Sequence, residues 1–224
     1  MHLLEEQNPQ DFKRARTEEQ KALRINQFLD AAAGLYEQNG YEAVSLTLIA
    51  KELDFHRNNV YNYFNCKEDL FLFLLLRDID EFIKDNCRSI DKLETDYSRF
   101  AREVTQVIMR HPRVLELFSL ANSTMLAAAS DNIIKKYRLA MIDKFRILEQ
   151  HLKDTVFPQL SLQDIHTLVD YVTVQAIALY PASMEYKERH HQKVFLENDL
   201  QVINFKEQFP FFLETVLRGF KPEK

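Results

Sequence analysis

Glycine is scarce in this chain: three of 224 residues, where average usage near 7% would supply ~16. Gly34, Gly40 and Gly219 cannot be arranged into G-x-G-x-x-G or G-x-x-x-x-G-K-[ST], so neither glycine-rich phosphate loop is present. The nucleophile turn G-x-S-x-G is excluded in the same way. Hairpin turns that need positive φ lack their preferred residue, which argues against a β-rich fold. The two cysteines, Cys66 and Cys87, are too few for a disulfide framework or a cysteine-rich zinc site. Their number suits a reducing cytoplasm, and a cytoplasmic protein is expected. The longest apolar run, Leu70 to Leu76, falls far short of the ~20 residues that span a bilayer, so no membrane partner is expected. The opening stretch MHLLEEQNPQDF has neither a basic start nor an apolar run, so no signal peptide is expected. Basic residues number 29 against 34 acidic, a net charge of −5. Any contact with nucleic acid must therefore come from a local patch.

Hydrophobic residues make up 46% of the chain, enough for a sizeable core. Their spacing is helical, and an all-α fold is predicted. Residues 1–16 read as a flexible basic arm carrying Arg14 and Arg16. Thr17, Glu18, Glu19 and Gln20 form a capping box. Ile25, Phe28, Leu29, Ala32, Leu35 and Tyr36 then recur at the three-four spacing of an amphipathic helix. Gly40 stands just past its end, where a positive φ is favoured. The first helix is predicted over about 18–39.

Ser45 can cap a short helix through Leu53, and Asp54, Phe55 and His56 read as a turn. A second short helix runs from Arg57 to Phe64. Asn65 or Cys66 then caps a long helix to about Arg88, with Glu68 and Asp69 in its first turn. Two short helices joined by a tight turn are the helix-turn-helix pattern, whose second helix enters the major groove of DNA. His56, Arg57, Asn58, Asn59 and Asn62 fall on the exposed face of that helix. Asparagine is a poor helix former, so three in so short a stretch call for a reason. Their amides donate and accept together at an adenine edge, and Arg57 can donate to guanine or phosphate. The rival reading is a solvated surface helix.

Gly40, Tyr41, Glu42, Ala43, Val44 and Ser45, then Ile49 and Ala50, then Val60 to Phe64, then Lys67 to Leu70, all at these spacings, resemble the tetracycline-repressor (TetR) family over about residues 17–72. The resemblance implies an all-helical homodimer, with a helix-turn-helix domain over 17–66 and a ligand-binding and dimerising domain over 67–224. It implies that Thr47 and Lys67 contact phosphate, that His56, Arg57, Asn58 and Asn59 lead the recognition helix, and that Tyr61 and Tyr63 touch phosphate or a thymine methyl. Four positions depart from the family pattern, among them His56, which replaces the usual serine or threonine cap. Asp54 stands where glycine is usual, though aspartate tolerates a left-handed backbone. Asn58 and Asn59 replace a glycine–threonine pair.

Further helices are predicted at about 95–110, 112–128, 131–156, 162–180 and 205–218, with Pro158 and Pro181 ending two of them. Residues 182–204 read as a polar connection. The segments 165–180 and 205–220 are apolar nearly all round, so each needs cover on two sides. A symmetric interface through Val172, Ala176, Leu179, Phe209, Phe212, Val216 and Phe220 would supply it; a central helix of a monomer is the alternative. Met109, His111, Phe118, Met125, Tyr137, Met141 and Tyr171 are candidates to line a site for a small apolar or amphipathic ligand, weighed against ordinary core. No cofactor and no catalytic residue is expected. A two-metal enzyme would need paired Glu-x-x-His motifs; Glu188 with His191 is one match, without a second. Cys66 near a helix start is a candidate oxidant sensor, against a small buried residue. The expected function is a transcriptional regulator, a repressor released from a near-palindromic double-stranded operator by a ligand. The alternative is a constitutive DNA-binding protein or a helical adaptor for protein partners.

Overall fold

The structure, a computed structural model, describes residues 17–90, 96–188 and 204–220. The arm with Arg14 and Arg16 lies outside them. All regular structure among the described residues is helical. The chain divides into two compact units, Met1–Leu70 and Phe71–Lys224.

The first unit contains α1 (Glu18–Asn39), α2 (Leu46–Glu52), α3 (Arg57–Tyr61) and the first turn of α4 (Lys67–Ile90). The capping box at the start of α1 is formed in both directions. Thr17 Oγ1 accepts from the Gln20 amide at 3.2 Å, and Gln20 Oε1 accepts from the Thr17 amide at 3.3 Å. Gly40 ends the helix at φ 76°, and its N–H reaches the Tyr36 carbonyl. Phe28 is the hub of this unit. It is fully buried and meets Phe55, Tyr63 and Phe64 edge-on, at centroid distances of 6.0, 5.5 and 6.4 Å. Ala32, Ile49, Ala50 and Val60 complete the core. Ala50 is small enough for α2 and α3 to cross closely.

The second unit holds the rest of α4, then α5 (Tyr97–Arg110), α6 (Pro112–Leu120), α7 (Asp131–Thr155), α8 (Leu162–Glu188) and α9 (Phe205–Gly219). Asp96 caps α5 through the Arg99 amide at 3.0 Å. The predicted helix 112–128 is interrupted by a wider π-helical turn, Ala121–Met125, which turns Met125 fully into the core. Helix α9 packs against α5 and α8, and α8 also packs against α6 and α7. Carboxylates of α4 tie it to its neighbours. Asp78 accepts two hydrogen bonds from Arg113, at 2.6 and 3.0 Å, and Asp80 accepts from Lys144.

Pro181 does not end its helix. Helix α8 continues to Glu188 with the proline inside it. An interior proline removes one ladder hydrogen bond, but Tyr180 and Ser183 on either side are buried, and Ser183 donates to the Tyr180 carbonyl at 2.7 Å. Tertiary burial overrides the local stop signal. Most of the predicted polar connection, residues 189–203, lies outside the described residues.

Candidate functional site

The helix-turn-helix is built from local rules. Ser45 Oγ accepts from the Leu48 amide at 3.2 Å and starts α2. Asp54 takes φ 53° in the turn, the left-handed backbone that its short polar side chain tolerates. His56 Nδ1 accepts from the Asn58 amide at 3.3 Å and starts α3. Helix α3 ends at Tyr61, earlier than the predicted Phe64. Past it, the amides of Tyr63 and Phe64 both reach the Val60 carbonyl, at 2.9 and 3.1 Å. That tight turn brings Tyr63 and Phe64 onto the Phe28 ring.

Thr47, His56, Arg57, Asn58, Tyr61 and Asn62 are exposed, and Asn59 is half-buried. The side chains of Arg57, Asn58, Asn59 and Asn62 have no hydrogen-bond partner among the described residues. One guanidinium and three carboxamides on one short element thus keep their full hydrogen-bonding capacity for another molecule. Tyr63 is placed differently: its ring is half-buried against Phe28, so it serves the core first. Arg24, counted with the basic residues of the sequence, is also buried, its guanidinium 4.2 Å above the Phe55 ring.

Lys67 opens α4 under restraint. Its ammonium lies 4.1 Å from the Tyr41 ring centroid, donates to the Tyr41 carbonyl at 3.2 Å and pairs with Glu42 at 3.7 Å. The Tyr41 hydroxyl donates to Glu68 at 3.1 Å. Burial, helped by the Glu68 carboxylate, pushes that phenol well above its ordinary pKa. Asp69 is buried and reaches back to the Asn65 amide at 3.1 Å. Burial also pushes the Cys66 thiol up to about 11. A thiol held protonated is a poor nucleophile, so Cys66 lacks the lowered pKa that the oxidant-sensor reading needs. Sequence reasoning did not single out Tyr41 or Glu42 as partners of Lys67.

In the second unit, the residues proposed to line a ligand site do not converge. Met125 and Tyr137 are buried in the core, and burial pushes the Tyr137 phenol up to about 12. Met109 and Met141 are half-buried. His111 lies 3.0 Å from Asp85 and edge-on to Phe82. The Arg110 guanidinium, together with His111, holds the Asp85 carboxyl below its ordinary range. Tyr171 is 56% exposed.

Of that set, Phe118 borders an internal cavity. Two such cavities adjoin in this unit. The larger, about 60 Å³, lies among α4, α5, α7, α8 and α9, and its wall includes Asn86, Ile90, Leu168 and Thr173. The smaller, about 40 Å³, is bordered by Phe118, Val114 and Ala176 among others. Phe82, Ile108, Phe145, Val172 and Thr173 line both. Val172, expected at a subunit interface, borders both cavities, and Ala176 borders the smaller. Phe209 is fully buried within its own chain. Leu179, Phe212, Val216 and Phe220 are half-buried. The apolar side chains that α8 and α9 leave most exposed are Tyr171, Val174 at 68% and Phe211 at 75%.

Among the described residues no group of three metal-binding side chains occurs, and no helix is long and apolar enough to cross a membrane. His191 lies outside the described residues, as does the Glu188 side chain.

Comparison with known proteins agrees with this geometry. Residues 28–74 match the model of bacterial regulatory proteins of the tetR family, and residues 76–224 match that of the tetracyclin repressor-like C-terminal domain. HTH-type transcriptional regulators of Staphylococcus aureus, among them those of strains bovine RF122 / ET3-1 and USA300, are 30% identical over 113 residues. That span is 50% of this chain and 57% of theirs. Among solved structures, the fatty acid degradation regulator FadR from Bacillus halodurans has the same fold, with a TM-score of 0.54 at 15% identity over 89% of this chain and 97% of that one. The repressor AlkX from a Dietzia strain, implicated in biodegradation of n-alkanes, gives 0.54 at 12% over 87% and 94%. With both of its units accounted for by family models, the chain belongs to the TetR family of helix-turn-helix, DNA-binding transcriptional regulators, a family of regulators and not of enzymes.

Proposed function

We propose that this regulator is a homodimeric repressor that binds a near-palindromic operator and is released by a small molecule held in the second unit. The observation that carries the DNA side is the set of side chains on and beside α3 without partners among the described residues: exposed Arg57, Asn58 and Asn62, and half-buried Asn59. In this reading the asparagines and Arg57 read base edges. Thr47, His56, Tyr61 and Lys67 sit at the phosphates, with Tyr63 touching the backbone by the edge it leaves exposed. In this reading residues 17–66 are the DNA-binding part and 67–224 the ligand-binding and dimerising part. A two-fold protein presents two recognition helices related by that axis, hence the near-palindrome. Repression needs only occupancy of a promoter. A relative in fold, SmeT, has been solved with triclosan, in keeping with a small apolar ligand here.

Base reading and backbone positioning separate by mutation. Asn59→Ala is expected to cost ~1–3 kcal/mol on the cognate operator and little on random DNA. Lys67→Ala is expected to weaken both alike and to reduce the salt dependence by about one unit. Equal losses of Asn59→Ala on both sequences would make that residue a backbone contact only.

Glu42 sharpens the role of Lys67. Its carboxylate is 89% exposed and pairs with the same ammonium that a phosphate would take. Glu42→Gln is expected to raise affinity for operator and random DNA about 1.5- to 5-fold, matching the ~0.2–1 kcal/mol of an exposed ion pair. Unchanged affinity at low salt would remove Lys67 from the phosphate contacts.

The switch is tested by titrating an inducer with and without operator. Allosteric couplings are typically ~1–3 kcal/mol and reciprocal. Inducer should weaken operator binding ~5–150-fold, and operator should weaken inducer binding by the same factor. Equal affinities in both titrations would leave a constitutive DNA-binding protein.

A further inference from the structure

The two adjoining cavities of the second unit have an uneven lining. The larger is walled by aliphatic and aromatic side chains, with two exceptions, Asn86 on α4 and Thr173 on α8. The smaller has Thr173 as its one polar side chain. No charged residue borders either cavity. Asn86 is only 4% exposed. Its Nδ2 donates to the Phe82 carbonyl at 2.9 Å, and its carboxamide oxygen has no donor among the described residues. The Thr173 hydroxyl has no partner there either, whereas Thr105, Thr167 and Thr215 each donate to a helix carbonyl. A buried acceptor without a donor is costly, and native proteins leave few of them. An apolar wall with one or two convergent polar groups is the ordinary make-up of a small-molecule site.

We infer that this cavity pair is a single site for an uncharged, mostly apolar molecule carrying one hydroxyl, an alcohol or a phenol, whose hydroxyl donates to Asn86. The inference rests on the ligand-responsive reading above and adds the ligand's chemical class. A carboxylate is excluded because its charge would be buried with no cation to meet it. An ammonium ligand lacks a carboxylate partner in the same way. Volume sets the size. Cavities of about 60 and 40 Å³ are too small separately for a drug-sized ligand, which takes ~300–1,000 Å³. A ~150 Å³ apolar cavity admits benzene. Joined, the two spaces fall short of that, so a single ring compound is admitted only as Phe82 and Phe145, which border both, swing aside to widen the site. The open groove lined by Lys84, Arg88, Arg146, Glu149 and Asp154 is larger, about 910 Å³, but it faces water and carries both signs of charge.

Three probes of matched shape test this on the full-length protein: phenol, toluene and benzoate, each followed by calorimetry and by the shift in melting temperature. Phenol should bind and stabilise, and benzoate should not bind. Asn86→Leu keeps a similar volume and removes the acceptor. It should weaken phenol about 10-fold or more while leaving toluene as tight or tighter. Thr173→Val, nearly isosteric, serves if the leucine variant does not fold, and should move the phenol-to-toluene ratio in the same direction. Benzoate binding as tightly as phenol, no binding by any probe, or phenol affinity unchanged in the variants would each overturn the inference. Operator affinity measured at saturating phenol separates this result from the switch. Asn86-dependent phenol binding with no loss of operator affinity supports the site and overturns the ligand-responsive reading.

Discussion

With the two-fold dimer proposed above, Phe211→Glu is expected to leave the protein monomeric. Phe211 is 75% exposed, and Val174 and Tyr171 on the adjacent helix are 68% and 56% exposed. In a monomer such a change on open surface moves stability by no more than about ±0.5 kcal/mol. In a two-fold interface the same patch occurs on both subunits, so one substitution buries two carboxylates without partners. Each costs at least ~2 kcal/mol. Together they weaken dimerisation about 1,000-fold or more, since 4.1 kcal/mol is three decades in Kd. Sedimentation velocity at micromolar protein reads this directly, and circular dichroism checks that the helices survive. Val174→Glu should behave alike. Phe209 provides the contrast: it is fully buried in its own chain, so Phe209→Ala should lower the melting temperature whatever the oligomeric state. Unchanged dimers of both glutamate variants would move the subunit contact away from these residues.

Phe28→Ala is expected to unfold the DNA-binding unit and abolish operator binding without touching a DNA contact. Truncating a fully buried phenylalanine costs ~3–5 kcal/mol. Here the lost ring is the common partner of Phe55, Tyr63 and Phe64. A compact unit of this size has roughly 4–10 kcal/mol of stability at ~0.05–0.15 kcal/mol per residue, so the change removes much or all of it. Thermal melting should show an early partial loss of helix, with the second unit melting later near its original temperature. Leu23→Ala is the control, because Leu23 is 55% exposed on the same helix; it should bind operator normally. Wild-type operator affinity in Phe28→Ala would mean that the aromatic cluster does not hold the helix-turn-helix together.

Much of the first unit was legible in the chain because its signals are local. A capping box, a glycine past a helix end, a serine cap and an aspartate in the turn each act over a few residues, and each stands where its spacing placed it. The end of α3 was less legible. Tyr63 and Phe64 fit a continuing helix by pattern, yet contact with Phe28, thirty-odd positions away in the chain, takes them into a turn. The same long-range burial carries α8 through Pro181.

The second unit divides differently. Its helices follow from the three-four spacing of apolar residues, which is a property of the chain itself. Which apolar residues meet which is not, because a helix that is apolar all round offers no marked face. Hence the chain does not mark that Val172 and Ala176 border a cavity, or that Val174 and Phe211 are left exposed. Asn86 did carry a sequence signal, a polar residue in the stripe of Ile79, Phe82, Ile83 and Ile90. That signal acquires meaning only when α5, α7, α8 and α9 close around it and exclude water from its carboxamide. The sequence alone determined the helical fold, the caps and the chemistry of the recognition residues, since these depend on propensity and hydrogen bonds over a few positions. The tertiary structure alone decided which side chains face the interior, the cavity or the solvent, since burial depends on every element packed against a residue.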